Sequence, residues 1–267
     1  MENKELKEIV KTKYSEIAES SNIKGQTSCC CSSGCCGDTE ISMIGDEYDT
    51  IEGHQPDADL GLGCGIPTQF AGIKSGDHVL DLGSGAGNDC FVARAIVGET
   101  GNVTGIDFTN AMIAKAIENN QKLGFTNVEF VKGDIEDMPF ENNTFDVIVS
   151  NCVLNLVPDK EKAFAEMYRV LKPGGHFCVS DVVIKGVLPE KLQKDAEMYA
   201  GCVSGAITMD EYLEIIKQHR FENITVHKQK EIAIPETVLL KYLNKEERMD
   251  FSNGNVGIYS ITVSAGK

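Results

Sequence analysis

The chain has 267 residues, 42% of them apolar, which is enough to bury a full hydrophobic core without disulfide staples. A formal net charge of −16 argues against nucleic acid or an anionic membrane as a partner, since both reward basic surfaces. The opening MENKELKEIVKTKYSEIAES is too charged for a secretory signal, and no apolar run approaches the roughly 20 residues that span a bilayer. The expected setting is therefore the cytoplasm, with reduced thiols, no membrane and a small-molecule substrate.

Taken in chain order, Leu6, Ile9, Val10, Tyr14 and Ile17 fall on one face of a helix, a stripe that requires a docking surface. From Ser20 to about Asp59 the pattern gives way to Ser, Gly, Cys and acidic residues, a loop composition. Within it, SCCCSSGCCG places five cysteines in eight positions: Cys29, Cys30, Cys31, Cys35 and Cys36. From His78 onward strands and amphipathic helices alternate: HVLDLG and NDCFVARAIVG, NVTGID and NAMIAKAIENNQKLG, NVEFVKGD, FDVIVSN and DKEKAFAEMYRVLKPGG, HFCVSDVV. That alternation predicts an α/β, Rossmann-like doubly wound sheet, mostly parallel, with helices on both faces and ligands at the carboxyl ends of the strands. After Pro189 come helical stretches around Met198 and Ile215, strand candidates at NITVHKQKEIAI and GIYSITVSAG, and a helical patch near VLLKYLN, with NKEERMD as a surface charge cluster. They predict a smaller C-terminal α+β cap. The expected division is 1–60 for the helix and Cys-rich loop, 61–185 for a cofactor-binding domain and 186–267 for a substrate cap.

The turn VLDLGSGAGNDC follows the first strand. Glycines there let the backbone approach a nucleotide-like ligand closely. A dinucleotide turn, G-x-G-x-x-G, would end in Gly, but this one has Asn88. Asp81, Gly83, Gly85 and Gly87, with Ser84 inside the turn, match instead the D-x-G-x-G-x-G pattern of the class I S-adenosylmethionine-dependent methyltransferases, which this region resembles. Asp107, followed by Phe108, ends the second strand 20 residues after Gly87, where a carboxylate can accept both ribose hydroxyls. The resemblance implies that Asp134 meets the adenine amino group, that Ile135 and Met112 cover the ring faces, and that Asn151 belongs to the cofactor site.

An oxygen or nitrogen acceptor usually requires a base at the end of the fourth strand. This chain has Cys152 there, directly after Asn151. Cys90 and Cys178 sit in apolar contexts and read as core. Cys64 in GLGCGIP and Cys202 in YAGCVSGA do not. Three soft thiols from distant stretches favour a soft ion. Zinc would want a fourth ligand and a C-x2-C knuckle that is missing, whereas trivalent arsenic takes three sulfurs and keeps a lone pair. The five scattered histidines, His54, His78, His176, His219 and His227, read as structural, with His54 alone near the expected entrance.

SNCVLNLVPDK, GLGCGIP and the Gly-Cys pair of YAGCVSGA closely resemble the arsenite S-adenosylmethionine methyltransferases. The resemblance implies that Cys152 and Cys202 hold As(III) through methylation, with Cys64 as third ligand. It further implies that Cys64 then pairs with an N-terminal cysteine as a disulfide, which thioredoxin or a small thiol reduces. Leu62 stands where some members have a tyrosine, so another side chain must cover the cofactor. The Cys-rich loop reads either as a capture and redox relay or as a linker with incidental thiols. Two other functions fit less of the pattern: methylation of a small organic acceptor such as a quinone or lipid precursor, and metalloid binding without turnover. The oligomeric state is left open.

Overall fold

The computed structural model describes residues 3–21, 48–189, 205–232, 240 and 243–267. Its centre is a seven-stranded sheet built from β1 (His78–Leu82), β2 (Asn102–Asp107), β3 (Val128–Lys132), β4 (Phe145–Asn151), β5 (Leu171–Lys185), β6 (Glu222–Glu231) and β7 (Gly257–Gly266). Their spatial order is β3-β2-β1-β4-β5-β7-β6. The first five strands are mutually parallel, while β7 runs antiparallel to β5 and β6 antiparallel to β7. The chain builds outward from β1 to β3 and then crosses to β4 on the other side of β1. That reversal opens a crevice at the carboxyl ends of β1 and β4, where open α/β sheets bind ligands.

Alternating side chains divide the core. Leu80, Leu82, Ile106, Ile148 and Phe177 pack on one face of the sheet with Phe164 and Met167 of α4 (Lys160–Val170) and Tyr212 of α5 (Met209–Gln218). Val79, Val103, Val147, Val149 and Cys178 pack on the other with Cys90, Phe91 and Val97 of α2 (Asn88–Val97). Cys90 and Cys178 are thus core residues, as expected, and burial pushes the Cys178 thiol up to about 12.

The C-terminal strands differ from expectation. They do not form the sheet of a separate cap but complete the main one, with β7 pairing along β5 from His176–Gly266 to Lys185–Gly257. The reason lies in β5, which is buried continuously from Phe177 to Ile184 and therefore needs a partner on its outer edge. β7 is nearly as buried, so β6 closes the sheet, and its exposed Lys and Glu side chains suit an edge strand. The sheet consequently runs across the boundary expected at 185/186. Helix α5 forms around Ile215 as expected, started by a Thr208/Glu211 capping box. The last helix, α6 (Lys245–Ser252), falls on NKEERMD, read from sequence as a charge cluster; the Asn244 side chain caps it and Glu247 answers. The stretch around Met198 and most of VLLKYLN lie outside the described residues.

The N-terminal stripe docks. Helix α1 (Asn3–Ser21) packs against α3 (Asn110–Leu123) and buries Val10 and Ala18. Lys7 on the same helix reaches the carboxylates of Asp134, at 2.6 Å, and Glu136.

Candidate cofactor and thiol site

The turn from β1 to α2 is shaped by backbone geometry. Gly83, Gly85 and Gly87 have φ of +65°, +51° and +99°, the left-handed region that side chains disfavour. The N–H groups of Gly83 and Ser84 both donate to the Ile106 carbonyl, at 2.8 and 3.0 Å, and hold the turn against β2. A Cβ on Gly83 would collide with Val153, so this glycine lets the turn abut the loop after β4. Gly87 plays another part than expected. It is the N-cap of α2, a Cβ there would lie 2.8 Å from Phe130 Cζ, and it is not among the residues lining the cavity beside the turn.

That cavity is lined by Asp81, Gly83, Ser84, Gly85, Asp107, Phe108, Met112, Asp134, Ile135, Asn151 and Cys152. All but Gly87 of the cofactor residues expected from sequence therefore meet in one place. Asp107 accepts from Gly85 N at 3.1 Å and Thr109 N at 2.8 Å. Burial pushes its pKa up, and the backbone donors pull it part of the way back. The Ser84 hydroxyl is buried at the cavity and has no hydrogen-bond partner among the described residues. A buried carboxylate and a buried hydroxyl suit a ligand that carries its own hydroxyls and polar groups, beside the apolar side chains of Met112 and Ile135. The Asp134 carboxylate is held by Lys7 and by Glu136 N, at 3.0 Å.

On the far side of Asn151 the chain turns into the thiol site. Cys152 has φ of +62°, an unusual conformation for a residue with a side chain, and its N–H donates to Ser180 O at 2.7 Å. Cys64 N donates to Asn151 Oδ1 at 3.0 Å, and Cys64 O accepts from the Ser260 hydroxyl. Both cysteines are buried in a single apolar cluster with Val182, Ile184, Leu188 and Ile258. Cys202 and the five N-terminal cysteines lie outside the described residues. Among the described residues no three His, Cys, Asp or Glu side chains are grouped to hold a metal ion. The histidines bond elsewhere: His54 to Asp59, His78 to Thr104, His176 to Ala71 O, His219 to Glu161 and His227 to Ser264.

A methyltransferase-domain family model matches residues 73–234. The chain is 42% identical over 235 residues to an arsenite methyltransferase of Halobacterium salinarum, covering 83% of this chain and 59% of that protein. It is 38% identical over 188 residues to an arsenite methyltransferase of Aquipseudomonas alcaligenes, covering 68% and 54%. The crystal structure of an arsenic(III) S-adenosylmethionine methyltransferase from Chlamydomonas reinhardtii matches with a TM-score of 0.64 at 36% identity, covering 77% of this chain and 67% of that one. The chain belongs to the arsenite methyltransferase family. It spans between 54% and 59% of the length of these two curated relatives.

Family membership does not explain every residue at the site. Lys7, Tyr48 and Asp89 line the cavity, and none stood out in the sequence; Tyr14, read there only as part of the docking stripe, lines it as well. Leu62 lines it too, and the aromatic rings among the lining residues are those of Tyr14, Tyr48 and Phe108. Asp89, in the first turn of α2, is raised to about 6 by burial, against hydrogen bonds from Tyr48 and Asn151 that favour its ionised form. A lone tyrosine in the acidic stretch GDEYDT carries no periodicity or motif that would have marked it.

Proposed function

We propose that this protein methylates trivalent arsenic, with S-adenosylmethionine as donor and cysteine sulfurs as the arsenic ligands. One observation carries the reading: Cys152 both lines the cavity with Asp107 and Ser84 and packs in the buried cluster with Cys64. Asp107 is suited to the ribose hydroxyls, Met112 and Ile135 to the adenine faces, and Ser84 to a polar group of the donor. When bound, S-adenosylmethionine supplies a sulfonium methyl; the arsenic lone pair takes it, the As–C bond forming as the S–CH3 bond breaks to leave S-adenosylhomocysteine.

The chain's own task is to bring arsenic to that point. Each As–S bond forms as a cysteine thiol replaces a hydroxide on arsenic, and the thiol proton leaves with the hydroxide as water. An apolar pocket suits this exchange because no charge is left behind. Cys64 and Cys152 supply two sulfurs, and Cys202 is proposed as the third. Methyl transfer raises arsenic formally from III to V. The two electrons that restore it come from a thiol pair, Cys64 and one of Cys29, Cys30, Cys31, Cys35 or Cys36, which becomes a disulfide and is reset by thioredoxin or a small thiol. Cys36 lies 12 residues before Tyr48, within about 40 Å of extended chain. Arsenic detoxification in the cytoplasm is the role this chemistry serves. No helix among the described residues is long and apolar enough to cross a membrane.

Arsenic speciation tests the reading. Purified protein with arsenite, S-adenosylmethionine and a thiol reductant is expected to form methylated arsenic, and Cys152→Ser to form none. Methylation that survives Cys152→Ser would return the thiols to an incidental role and favour an organic acceptor.

A further inference from the structure

Beneath the thiol loop lies a buried hydrogen-bond network that ligation alone does not call for. The Tyr48 ring packs with Ile66 and Val92. Its hydroxyl lies 2.8 Å from Asp89 Oδ1 and 3.2 Å from Gly65 O. Asn151 Nδ2 lies 2.8 Å from the Tyr48 hydroxyl, 2.8 Å from Gly65 O and 3.2 Å from Asp89 Oδ2. On its other side, Asn151 Oδ1 accepts from Cys64 N. The amide orientation is therefore determined, since Cys64 N needs an acceptor and Gly65 O a donor. With Asp89 ionised, protons are donated in one direction: from Asn151 to the tyrosine oxygen, and from the tyrosine to the carboxylate.

The consequence is mechanical. Asn151 immediately precedes Cys152, and its side chain holds the backbone of Cys64, so one amide links the main chains of both thiol residues. Tyr48 and Asp89 prevent that amide from turning. The loop is seated tightly: a Cβ on Gly63 would lie 2.6 Å from Asn151 Nδ2, and one on Gly65 would lie 2.5 Å from Ser180 Oγ. We infer that Tyr48 and Asp89 are positioning residues for trivalent arsenic, fixing the Cys64 loop against Cys152 through Asn151 and so setting the separation of the two sulfurs. The inference rests on the proposed arsenic site. A ligand pair held at its binding distance loses less freedom on capture, and small displacements of such a pair are costly. Tyr48→Phe leaves in place the ring that lines the cavity, so the cofactor loses less than arsenic does; Asp89 lines the cavity too, and for it the arsenite loss must exceed the cofactor loss.

The test uses the full chain carrying Cys29→Ser, Cys30→Ser, Cys31→Ser, Cys35→Ser and Cys36→Ser, so that the N-terminal thiols do not contribute to the signal. Arsenite retention is measured by equilibrium dialysis under a phosphine reductant, and S-adenosylmethionine binding by calorimetry. Adding Tyr48→Phe or, separately, Asp89→Asn is expected to weaken arsenite binding about tenfold and to weaken cofactor binding clearly less than that. Unchanged arsenite binding in both variants, or equal losses for arsenite and cofactor, overturns the inference. If Tyr48→Phe does not fold, Asp89→Asn is judged by the same criteria. A native protein that retains arsenite yet methylates none removes the proposed activity and leaves this inference to be decided by the variants. One that does not retain arsenite overturns both.

Discussion

On the cofactor side of the cavity, Asp81, Gly83, Ser84, Gly85 and Asp107 come from two successive strands and the single turn between β1 and α2. On the thiol side, Tyr48, Cys64, Asp89 and the Asn151–Cys152 pair come from four separated stretches joined by side-chain hydrogen bonds. The first wall is local and mostly backbone, so its form follows once β1 and β2 pair. The second exists only after the loop before β1, the start of α2 and the end of β4 have met. A cofactor site of this kind tolerates change in the residues around it, whereas the thiol site depends on each of its supports.

The two walls touch at Gly83, whose Cα faces Val153, the residue after Cys152. Gly83→Ala combines a left-handed φ with a collision and is expected to cost about 2–4 kcal/mol of stability and to weaken both ligands. Urea unfolding and the two binding assays check this. Loss of only one ligand would mean that the walls are mechanically independent. Asp107→Asn separates them in the other direction. It removes the charge proposed to accept the ribose hydroxyls and is expected to weaken S-adenosylmethionine roughly thirtyfold with arsenite retention unchanged.

The same contrast explains what was legible in the sequence. Asp107, Met112 and Ile135 are legible as cavity residues because each holds a set place after a strand, and Cys64 and Cys152 stand out because cysteines are conspicuous. Tyr48 and Asp89 do not, because their role comes from contacts across 41 residues of chain that no local pattern encodes. Gly87 was read as a cofactor glycine, yet the space its missing side chain leaves is filled by Phe130 and Phe91. The partner of β7 was also hidden: GIYSITVSAG signals a buried strand, but only the unpaired edge of β5 determines where it goes. In NKEERMD the helix has no buried stripe and depends on Asn244 and Glu247, a spacing visible in the letters but without the apolar run that gives it weight.

Behind β5, on the face opposite the sheet's Ser180 and Val182, Asp181 is buried, bonded to Val182 N at 2.9 Å and to the Tyr212 hydroxyl at 3.2 Å, and burial raises it to about 7. Its ordinary value is 3.8, so between these two values the folded chain binds more protons than the unfolded one. Stability contributed by this group therefore falls as pH rises through that window and levels off above it. Asp89 acts in the same direction up to about 6. Asp181→Asn is expected to flatten the part of the stability profile between pH 6 and 7, read from urea midpoints, without moving arsenite binding. A profile that rises with pH there would mean Asp181 is ionised at little cost and that the thiol wall has a more polar foundation than its burial implies.

The smallest effect concerns the lid of the cofactor wall. Lys7 holds Asp134 Oδ2 at 2.6 Å while Glu136 N occupies Oδ1, so the carboxylate proposed to meet the adenine amino group is already engaged at both oxygens. The Lys7 and Asp134 side chains are 30% and 42% exposed, which limits the ion pair to about 0–1 kcal/mol. Competition for one oxygen at that strength means Lys7→Ala tightens S-adenosylmethionine by about two- to fivefold. Raised salt, which screens an exposed pair, should then tighten the native protein toward the variant while leaving the variant itself unchanged. If Lys7→Ala instead weakens the cofactor, Lys7 holds α1 closed over the ligand rather than competing with it. The cofactor wall would then, like the thiol wall, depend on a distant side chain.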